Sequence, residues 1–392
     1  MSYFNRFHAR LRGGSAWSKK ERLIEEFMEL VQIDSETKHE QAIRKALIAK
    51  FEALGLSVEE DDVAEKIGHG SGNLFAWLPA TPDAESAPVL LFTSHMDTVA
   101  PGLGIKPRLD DDGYIRSDGT TILGADDKAG LAAIFEALRV LKETGASHGA
   151  IQFVITVGEE SGLLGSRAMD GSRLKAKFGY ALDSNGKVGE IAAAAITNSR
   201  QYITIHGKAA HAGVNPEDGI SAIQVASKAV SKMKLGRIDK ETSANIGRFE
   251  GGGEVNVVVD KIKIYAEVRS RSNEKLHAQA ELMRQAVANA CEETGATFEF
   301  VSEVIYPAYS YTEADEVIQI ASAAIRSVGL SPSLFASGGG SDANMFNGNG
   351  VPTVNLAVGY EDIHTTKERI KADDIVKVTE LVLAIVEEAQ RH

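Results

Sequence analysis

Hydrophobic residues recur along this chain with two different spacings, and the way these spacings alternate predicts the fold. Helical spacing appears first from Leu23 to Val31 and again from about Gln41 to Leu54. Short apolar runs then alternate with helical stretches. In chain order these are the strands NLFAWLP and VLLFTSH, the helix KAGLAAIFEALRVLKE, and the strands IQFVITV and FGYALD. This alternation is typical of α/β proteins, so we predict a mixed sheet surrounded by helices.

The order of elements changes after Asp183. The strand QYITIHG is followed by the helix GISAIQVASKAVSKM, and two strands come next, in ANIGRFEG and EVNVVVDKIKIYAEVRS. The long helix NEKLHAQAELMRQAVANACEET and the strand TFEFVSEV complete the series. The order β-α-β-β-α-β is that of the ferredoxin-like unit.

We therefore predict an inserted ferredoxin-like domain at residues 186–303, within a discontinuous first domain made of residues 1–185 and 304–392. A helix from Glu313, the strand TVNLAV and a last helix from Asp373 would complete the first domain. A length of 392 residues agrees with two domains, because it is long for a single core.

Composition excludes some classes of partner. The net charge of −13 argues against nucleic acid, because phosphate binding requires a basic surface. No apolar run reaches the length of a membrane span. The single cysteine, Cys291, cannot form an internal disulfide, which favours a reducing compartment. We expect a cytoplasmic protein that binds neither nucleic acid nor membrane.

The first 20 residues contain no acidic residue but several basic ones, namely Arg6, Arg10, Arg12, Lys19 and Lys20. Transit peptides have such a composition, and so do loosely ordered tails. The segment lacks the apolar core of a signal peptide.

Acidic residues and histidines follow several of the predicted strands, where α/β folds place their sites. LLFTSHMDTV places His95 and Asp97 two apart at a strand end, so that Asp97 can orient the His95 ring. ALDSN places Asp183 at the end of a buried strand, and YEDIHTT places His364 after TVNLAV. GADDKAG places Asp126 before a helix. Each residue alone is weak evidence for a site, because a lone histidine is more often a structural hydrogen-bonding residue, and a lone aspartate is often a turn residue or a helix cap.

Taken together, these residues indicate a metal site. The two histidines, Asp126, Asp183 and one glutamate of FVITVGEESGLLGS make five candidate ligands. Five are too many for one tetrahedral zinc with an open position, but they suit two metals that share a carboxylate. One member of the pair Glu159 and Glu160 would complete a metal shell, and the other would take a proton from the water.

These stretches resemble those of the M20 family of dinuclear metallopeptidases, and most closely its peptidase T-like (tripeptide aminopeptidase-like) members. The matching pieces are SHMDT, GADDKAG, GEESGLLGS, ALDSNG, GKAAHAGVNPEDG, GGGSDAN and EDIHTT. They cover almost the whole chain, and their order makes the resemblance specific.

The resemblance implies two divalent ions per chain, zinc before cobalt or manganese, with Asp126 bridging them. His95 and Asp183 would complete one shell, and Glu160 and His364 the other. It further implies that Glu159 is the general base, that Asp97 holds the imidazole of His95, and that the peptide bond between Asp126 and Asp127 is cis.

For the inserted domain, the resemblance implies a homodimer in which His211 reaches the partner's reacting carbonyl. Asn256, on the strand EVNVVVD, and Arg269, on YAEVRSR, would contact substrate. Arg269 can bind a carboxylate as a fork. The amides of the loop Gly338, Gly339 and Gly340 could also approach a substrate carboxylate.

The leading hypothesis is a metal-dependent aminopeptidase of tripeptidase type that hydrolyses short peptides with a metal-bridged water activated by Glu159. An N-acyl-amino-acid amidohydrolase or a carboxypeptidase on the same scaffold stays open, because no residue identifies the substrate amine. A binding protein without activity is disfavoured, since every predicted ligand and the base are present.

Overall fold

The computed structural model describes residues 16–392, with side chains from Lys20 onward. The basic residues from Arg6 to Lys19, noted above for their composition, lie outside the side chains described. Among the described residues the chain forms two compact units. The first contains the residues up to Ala193, Tyr311–Ala336 and Ser341–His392, and the second contains Ala194–Ser310 and Ser337–Gly340.

The α-helices of residues 16–392 are numbered in chain order. They are α1 (Ala16–Val31), α2 (Gln41–Ala53), α3 (Val63–Ile67), α4 (Ala125–Thr144), α5 (Leu164–Ala168), α6 (Ala222–Lys232), α7 (Asn273–Thr294), α8 (Glu316–Ser327), α9 (Asp342–Gly348) and α10 (Ala372–Ala389).

The strands are numbered in the same way. They are β1 (Ser57–Glu60), β2 (Leu74–Leu78), β3 (Leu90–His95), β4 (Arg108–Leu109), β5 (Tyr114–Arg116), β6 (Ile151–Thr156), β7 (Phe178–Ser184), β8 (Glu190–Ala195), β9 (Thr197–His206), β10 (Gly236–Arg237), β11 (Thr242–Gly251), β12 (Lys261–Ser270), β13 (Thr297–Tyr306), β14 (Tyr309–Ser310), β15 (Ser333–Ala336), β16 (Thr353–Ala357) and β17 (Arg369–Lys371).

The first unit is built on a mixed sheet, as predicted. Its strand order is β1-β2-β6-β3-β7-β16-β8, with β15 also paired to β8. The four central strands β6, β3, β7 and β16 are parallel, whereas β2 and β8 run antiparallel to their neighbours. Parallel strands covered on both faces read as continuous apolar runs, and every residue of β3 and β6 is buried.

The carboxyl ends of the four parallel strands lie at one edge of this sheet, which is where α/β folds build their sites. Helix α4 is buried on almost its whole surface and packs against α1 and α10. Aromatic rings join it to the sheet, because the Phe51 centroid lies 4.7 Å from Phe135 of α4 and 5.9 Å from Phe153 of β6. This packing fixes the start of α4 beside the strand ends.

The second unit has the predicted ferredoxin-like order β9-α6-β11-β12-α7-β13. Its antiparallel sheet is ordered β10-β11-β12-β9-β13. Apolar residues of β9 and β12 pack against α6 and α7, and Cys291 is buried among them as a free thiol. The fold class predicted from the sequence is therefore confirmed.

One predicted strand is shorter than expected. The run EVNVVVDKIKIYAEVRS was assigned to a single strand, but β12 begins only at Lys261. The β-branched residues before it lie in a turn and an isolated bridge, in which Val257 pairs with His211. Asn256 therefore lies in a turn, and the prediction that it lies on a strand was wrong.

No helix within residues 16–392 is long and apolar enough to cross a membrane.

Candidate metal centre

The predicted ligands of the first unit lie at the carboxyl edge of the parallel strands. His95 is the last residue of β3, and Asp183 is the last residue but one of β7. Glu160 follows the end of β6, and His364 follows β16. Asp126 comes from the start of α4. Five separate chain segments thus supply the site.

The carboxylate of Asp126 lies between the two histidines. Its Oδ1 is 3.1 Å from Nε2 of His95, and its Oδ2 is 3.3 Å from Nε2 of His364. The side chain is only 9% exposed. Each oxygen of one buried carboxylate therefore faces a different imidazole, which is the arrangement that a bridging ligand requires.

Two groups of potential ligands share Asp126. One consists of His95, Asp126 and Asp183, and the other of Asp126, Glu160 and His364. Within each group the ligand atoms all lie within 4.8 Å of one another. The donors are only imidazole nitrogens and carboxylate oxygens, a set that fits zinc, cobalt or manganese. The residues present therefore fit two divalent ions.

The burial and the hydrogen bonds of these residues shift their pKa values. Burial opposes the charged form of Asp126, but hydrogen bonds from His364 and His95 outweigh it and lower the pKa of Asp126. Hydrogen bonds to Asp126 and Glu160 raise the pKa of His364 to about 10. Burial raises the pKa of Asp183 to about 7, although His95 acts in the opposite direction.

Glu159 lies beside the ligands, in a third group with His95 and Glu160. Burial, reinforced by the charge of Asp183, raises the pKa of Glu159 well above its ordinary value. A carboxyl group whose proton affinity is raised in this way is suited to accept a proton.

Asp97 contacts both the His95 ring and the loop of the two glutamates. Its carboxylate Oδ1 lies 3.6 Å from Nδ1 of His95, while its main-chain carbonyl oxygen lies closer, at 3.0 Å. The same carboxylate accepts hydrogen bonds from the backbone N–H groups of Glu159 and Glu160, at 3.0 and 3.2 Å. Asp97 therefore holds the Glu-Glu loop as well as the histidine, and the loop contact was not predicted.

The two aspartates of GADDKAG have different environments. Asp126 faces the histidines, whereas Asp127 Oδ1 accepts a hydrogen bond from the N–H of Gly130, 3.3 Å away. Asp127 thus fills the capping role that the sequence left open for this motif. The peptide bond between Asp126 and Asp127 is cis, as the resemblance implied.

Gly158, just before the glutamates, has φ 63°, a conformation that favours glycine. A Cβ there would lie 2.7 Å from Cε1 of His69. His69 is itself held by Glu40, with Nδ1 2.8 Å from Oε1, and both side chains are fully buried. No sequence pattern pointed to His69 or Glu40, because neither residue lies near a motif.

Two further residues near the ligands were missed. The hydroxyl of Tyr360 donates to Oδ1 of Asp183 at 3.2 Å. Glu368 accepts hydrogen bonds from three backbone N–H groups around Asp126. They lie four residues before and four after His364, so proximity to a predicted ligand was the available signal.

In the second unit, the structure brings His211 and Asn256 together. The backbone N–H of Ala212 donates to the carbonyl oxygen of Asn256 at 2.9 Å, and both predicted side chains are exposed. Arg269 lies near the other end of β12. Arg269 is eight positions after Lys261 along the extended strand, a distance of about 26 Å.

Arg269 and the glycine loop have local partners. The Arg269 guanidinium forks onto Glu267, with contacts of 2.8 and 3.1 Å. Gly340 packs so closely on Tyr306 that a Cβ would lie 2.3 Å from its ring. The N–H of Gly339 donates to the Ser337 hydroxyl at 3.1 Å.

Comparison with known proteins agrees with this geometry. The sequence profile of peptidase family M20/M25/M40 matches residues 91–388. Aminopeptidase PepT from Bacillus cereus ATCC 10987 is 57% identical, with a TM-score of 0.87 and coverage of 94% of this chain and 98% of that one. A tripeptidase from Staphylococcus aureus subsp. aureus Mu50 is 46% identical, with a TM-score of 0.89 and coverage of 95% and 99%.

A third relative is the uncharacterized protein YqjE of Bacillus subtilis strain 168, which is 55% identical over 95% of this chain and 99% of its own length. The profile match covers more than half of the chain, and the relatives match it along nearly their whole length. The chain therefore belongs to peptidase family M20/M25/M40, as its motifs predicted.

Proposed function

We propose that the protein is a metal-dependent aminopeptidase that releases the N-terminal residue of short peptides, tripeptides above all. The observation that carries the proposal is the Asp126 carboxylate, with one oxygen on His95 and the other on His364. The names of two similar proteins, an aminopeptidase PepT and a tripeptidase, support the substrate class. These relatives do not favour the amidohydrolase or carboxypeptidase alternative.

Two divalent ions, zinc before cobalt or manganese, would be held by the two ligand groups. His95 and Asp183 would serve one ion, Glu160 and His364 the other, and Asp126 both. Such ions act as Lewis acids that lower the pKa of a bound water and polarise a carbonyl.

Glu159 is the proton acceptor in this proposal. Asp97 positions the glutamate loop by accepting both of its backbone N–H groups, so the Glu159 carboxylate stays beside the ligands. Burial raises the pKa of Glu159, and the higher proton affinity of its carboxylate suits a proton acceptor.

The C-terminal carboxylate of the peptide would bind Arg269 or the loop Gly338–Gly340. Arg269 already pairs with Glu267, so a substrate carboxylate would compete with that pair for the guanidinium fork.

His211 and Asn256 would serve the active site of a second copy, in a homodimer formed through the second unit. Apolar side chains beside them are exposed, with Val214 at 76% and Val255 at 99%. Exposed apolar residues of this kind are typical of interaction surfaces. We place the dimer in the cytoplasm, because its one cysteine is a free thiol.

Substrate specificity gives the direct test of the function. We expect a free tripeptide to be cleaved to its N-terminal residue and a dipeptide. The N-acetylated tripeptide should be a poor substrate because it lacks the amine, and the amidated one because it lacks the carboxylate. Chromatography of the products with mass detection measures all three. Efficient hydrolysis of N-acetyl amino acids without activity on free peptides would favour the amidohydrolase instead.

We expect substitutions of the two adjacent glutamates to affect turnover and metal binding differently. Glu159→Gln keeps its shape but cannot accept a proton, so turnover should fall by about 10²–10⁴-fold with normal metal content. Glu160→Ala removes a ligand, so one ion should bind more weakly and excess metal should partly restore turnover. Metal analysis beside turnover distinguishes the two variants.

The matched control for this pair is Glu65→Gln, an exposed glutamate on α3, which should change neither property. Loss of metal in Glu159→Gln with retention in Glu160→Ala would reverse the assigned roles. Full activity in both variants would contradict the mechanism.

Action of His211 across a dimer is tested with mixed variants. His211→Ala and Glu159→Ala should each be inactive, yet their mixture should regain about a quarter of wild-type activity. About half of randomly reassorted symmetric dimers are hybrids, and each hybrid keeps one intact site. As a control, Glu159→Ala mixed with the double variant that carries both His211→Ala and Glu159→Ala should regain no activity. No recovery after proven subunit exchange would contradict action in trans.

A further inference from the structure

The loop that carries His364 also carries Glu368, and both side chains reach Asp126. The loop is closed at its base, where Glu361 and Arg369 exchange backbone hydrogen bonds of 2.8 and 3.1 Å. The Arg369 guanidinium forks onto Oε2 of Glu361 at 2.9 and 2.6 Å, and the Tyr114 hydroxyl donates to Oε1 at 2.9 Å. The base of the loop is therefore fixed from both sides.

From this base, Glu368 reaches the start of α4. Its Oε2 accepts the N–H groups of Leu123 and Gly124, both at 2.8 Å, and its Oε1 accepts the N–H of Asp126 at 3.0 Å. Glu368 is 2% exposed, so water does not compete for these bonds. One carboxylate thus binds three donors within four consecutive residues.

These donors need an acceptor from elsewhere in the chain. Backbone N–H groups at a helix start have no partner within the helix, and the residue before α4, Gly124, has no side chain to supply one. Asp127 turns to Gly130 instead. Glu368, more than 240 residues away in sequence, satisfies the N–H groups on the other side, including that of Asp126. A buried N–H left without an acceptor costs about 1–3 kcal/mol.

Asp126, the ligand shared by the two groups, is held by this loop in two ways. His364 contacts Asp126 through its side chain, while Glu368 fixes Asp126 through its backbone, and the two come from one closed loop. Any shift of the Glu368 carboxylate would move Asp126 relative to His95 and His364 together.

We infer that Glu368 is a positioning residue. It holds the bridging Asp126 at a fixed position relative to His364, and so sets the affinity of both metal positions at once. The inference rests on the proposed dinuclear site. Outer partners of metal ligands typically contribute 10–100-fold to metal affinity.

The test uses the full chain, stripped of metal with a chelator and titrated with Zn²⁺ against a chromophoric competitor. Glu368→Gln replaces one acceptor oxygen by an amide NH2 group, a donor that would face N–H donors, so both dissociation constants should rise by about 10–100-fold. The matched control is Asp362→Asn, an exposed carboxyl on the same loop, which should leave both constants unchanged.

Melting of the metal-free proteins separates positioning from a purely structural role. A lower melting temperature with both constants unchanged would overturn the inference, and so would weakening of one position alone. If Glu368→Gln does not fold, Glu368→Asp decides. It keeps the charge but is too short to reach both ends of the segment, so both constants should still rise, and unchanged constants would overturn the inference. Wild-type protein that binds fewer than two ions would instead contradict the proposed function on which the inference depends.

Discussion

Bringing several carboxylates to one buried point is unfavourable unless positive charge shares the site, and this constraint organises the first unit. Asp126, Asp183, Glu159 and Glu160 converge where four parallel strands end. In the structure, the imidazoles of the two histidines face the carboxylates, and hydrogen bonds to Asp126 and Glu160 raise the pKa of His364 to about 10. Two divalent ions would meet the same requirement more strongly, because each has twice the charge of an imidazolium.

Fixed hydrogen bonds keep the converging groups apart and oriented. Asp97 accepts the N–H groups of the glutamate loop, Glu368 accepts those at the start of α4, and Tyr360 donates to Asp183. None of the three is a predicted ligand, yet each acts on a residue that is. The different roles proposed for Glu159 and Glu160 would depend on such contacts, since adjacent residues of the same type can differ only through their surroundings.

The sequence predicted the α/β sheet, the ferredoxin-like order and the family, because these depend on local periodicity and on contiguous motifs. It also identified His95, Asp126 and His364, which lie in such motifs, and the structure brings them together, although their roles remain predictions. The strand prediction failed for the β-branched run around Asn256, because such a run is typical of strands but also occurs outside them. Here it forms a turn and an isolated bridge before β12 begins. The sequence could not identify Glu368, whose partners at the start of α4 are more than 240 residues away.

The proposed function depends on one carboxylate, that of Asp126, which would serve two ions. Anomalous diffraction from crystals grown with Mn²⁺ or Zn²⁺ would locate these ions. We expect two peaks about 3.5–4 Å apart, one beside each oxygen of Asp126, with His95 and Asp183 near one peak and Glu160 and His364 near the other. A single peak at saturating metal, or two peaks that do not share Asp126, would contradict the dinuclear site.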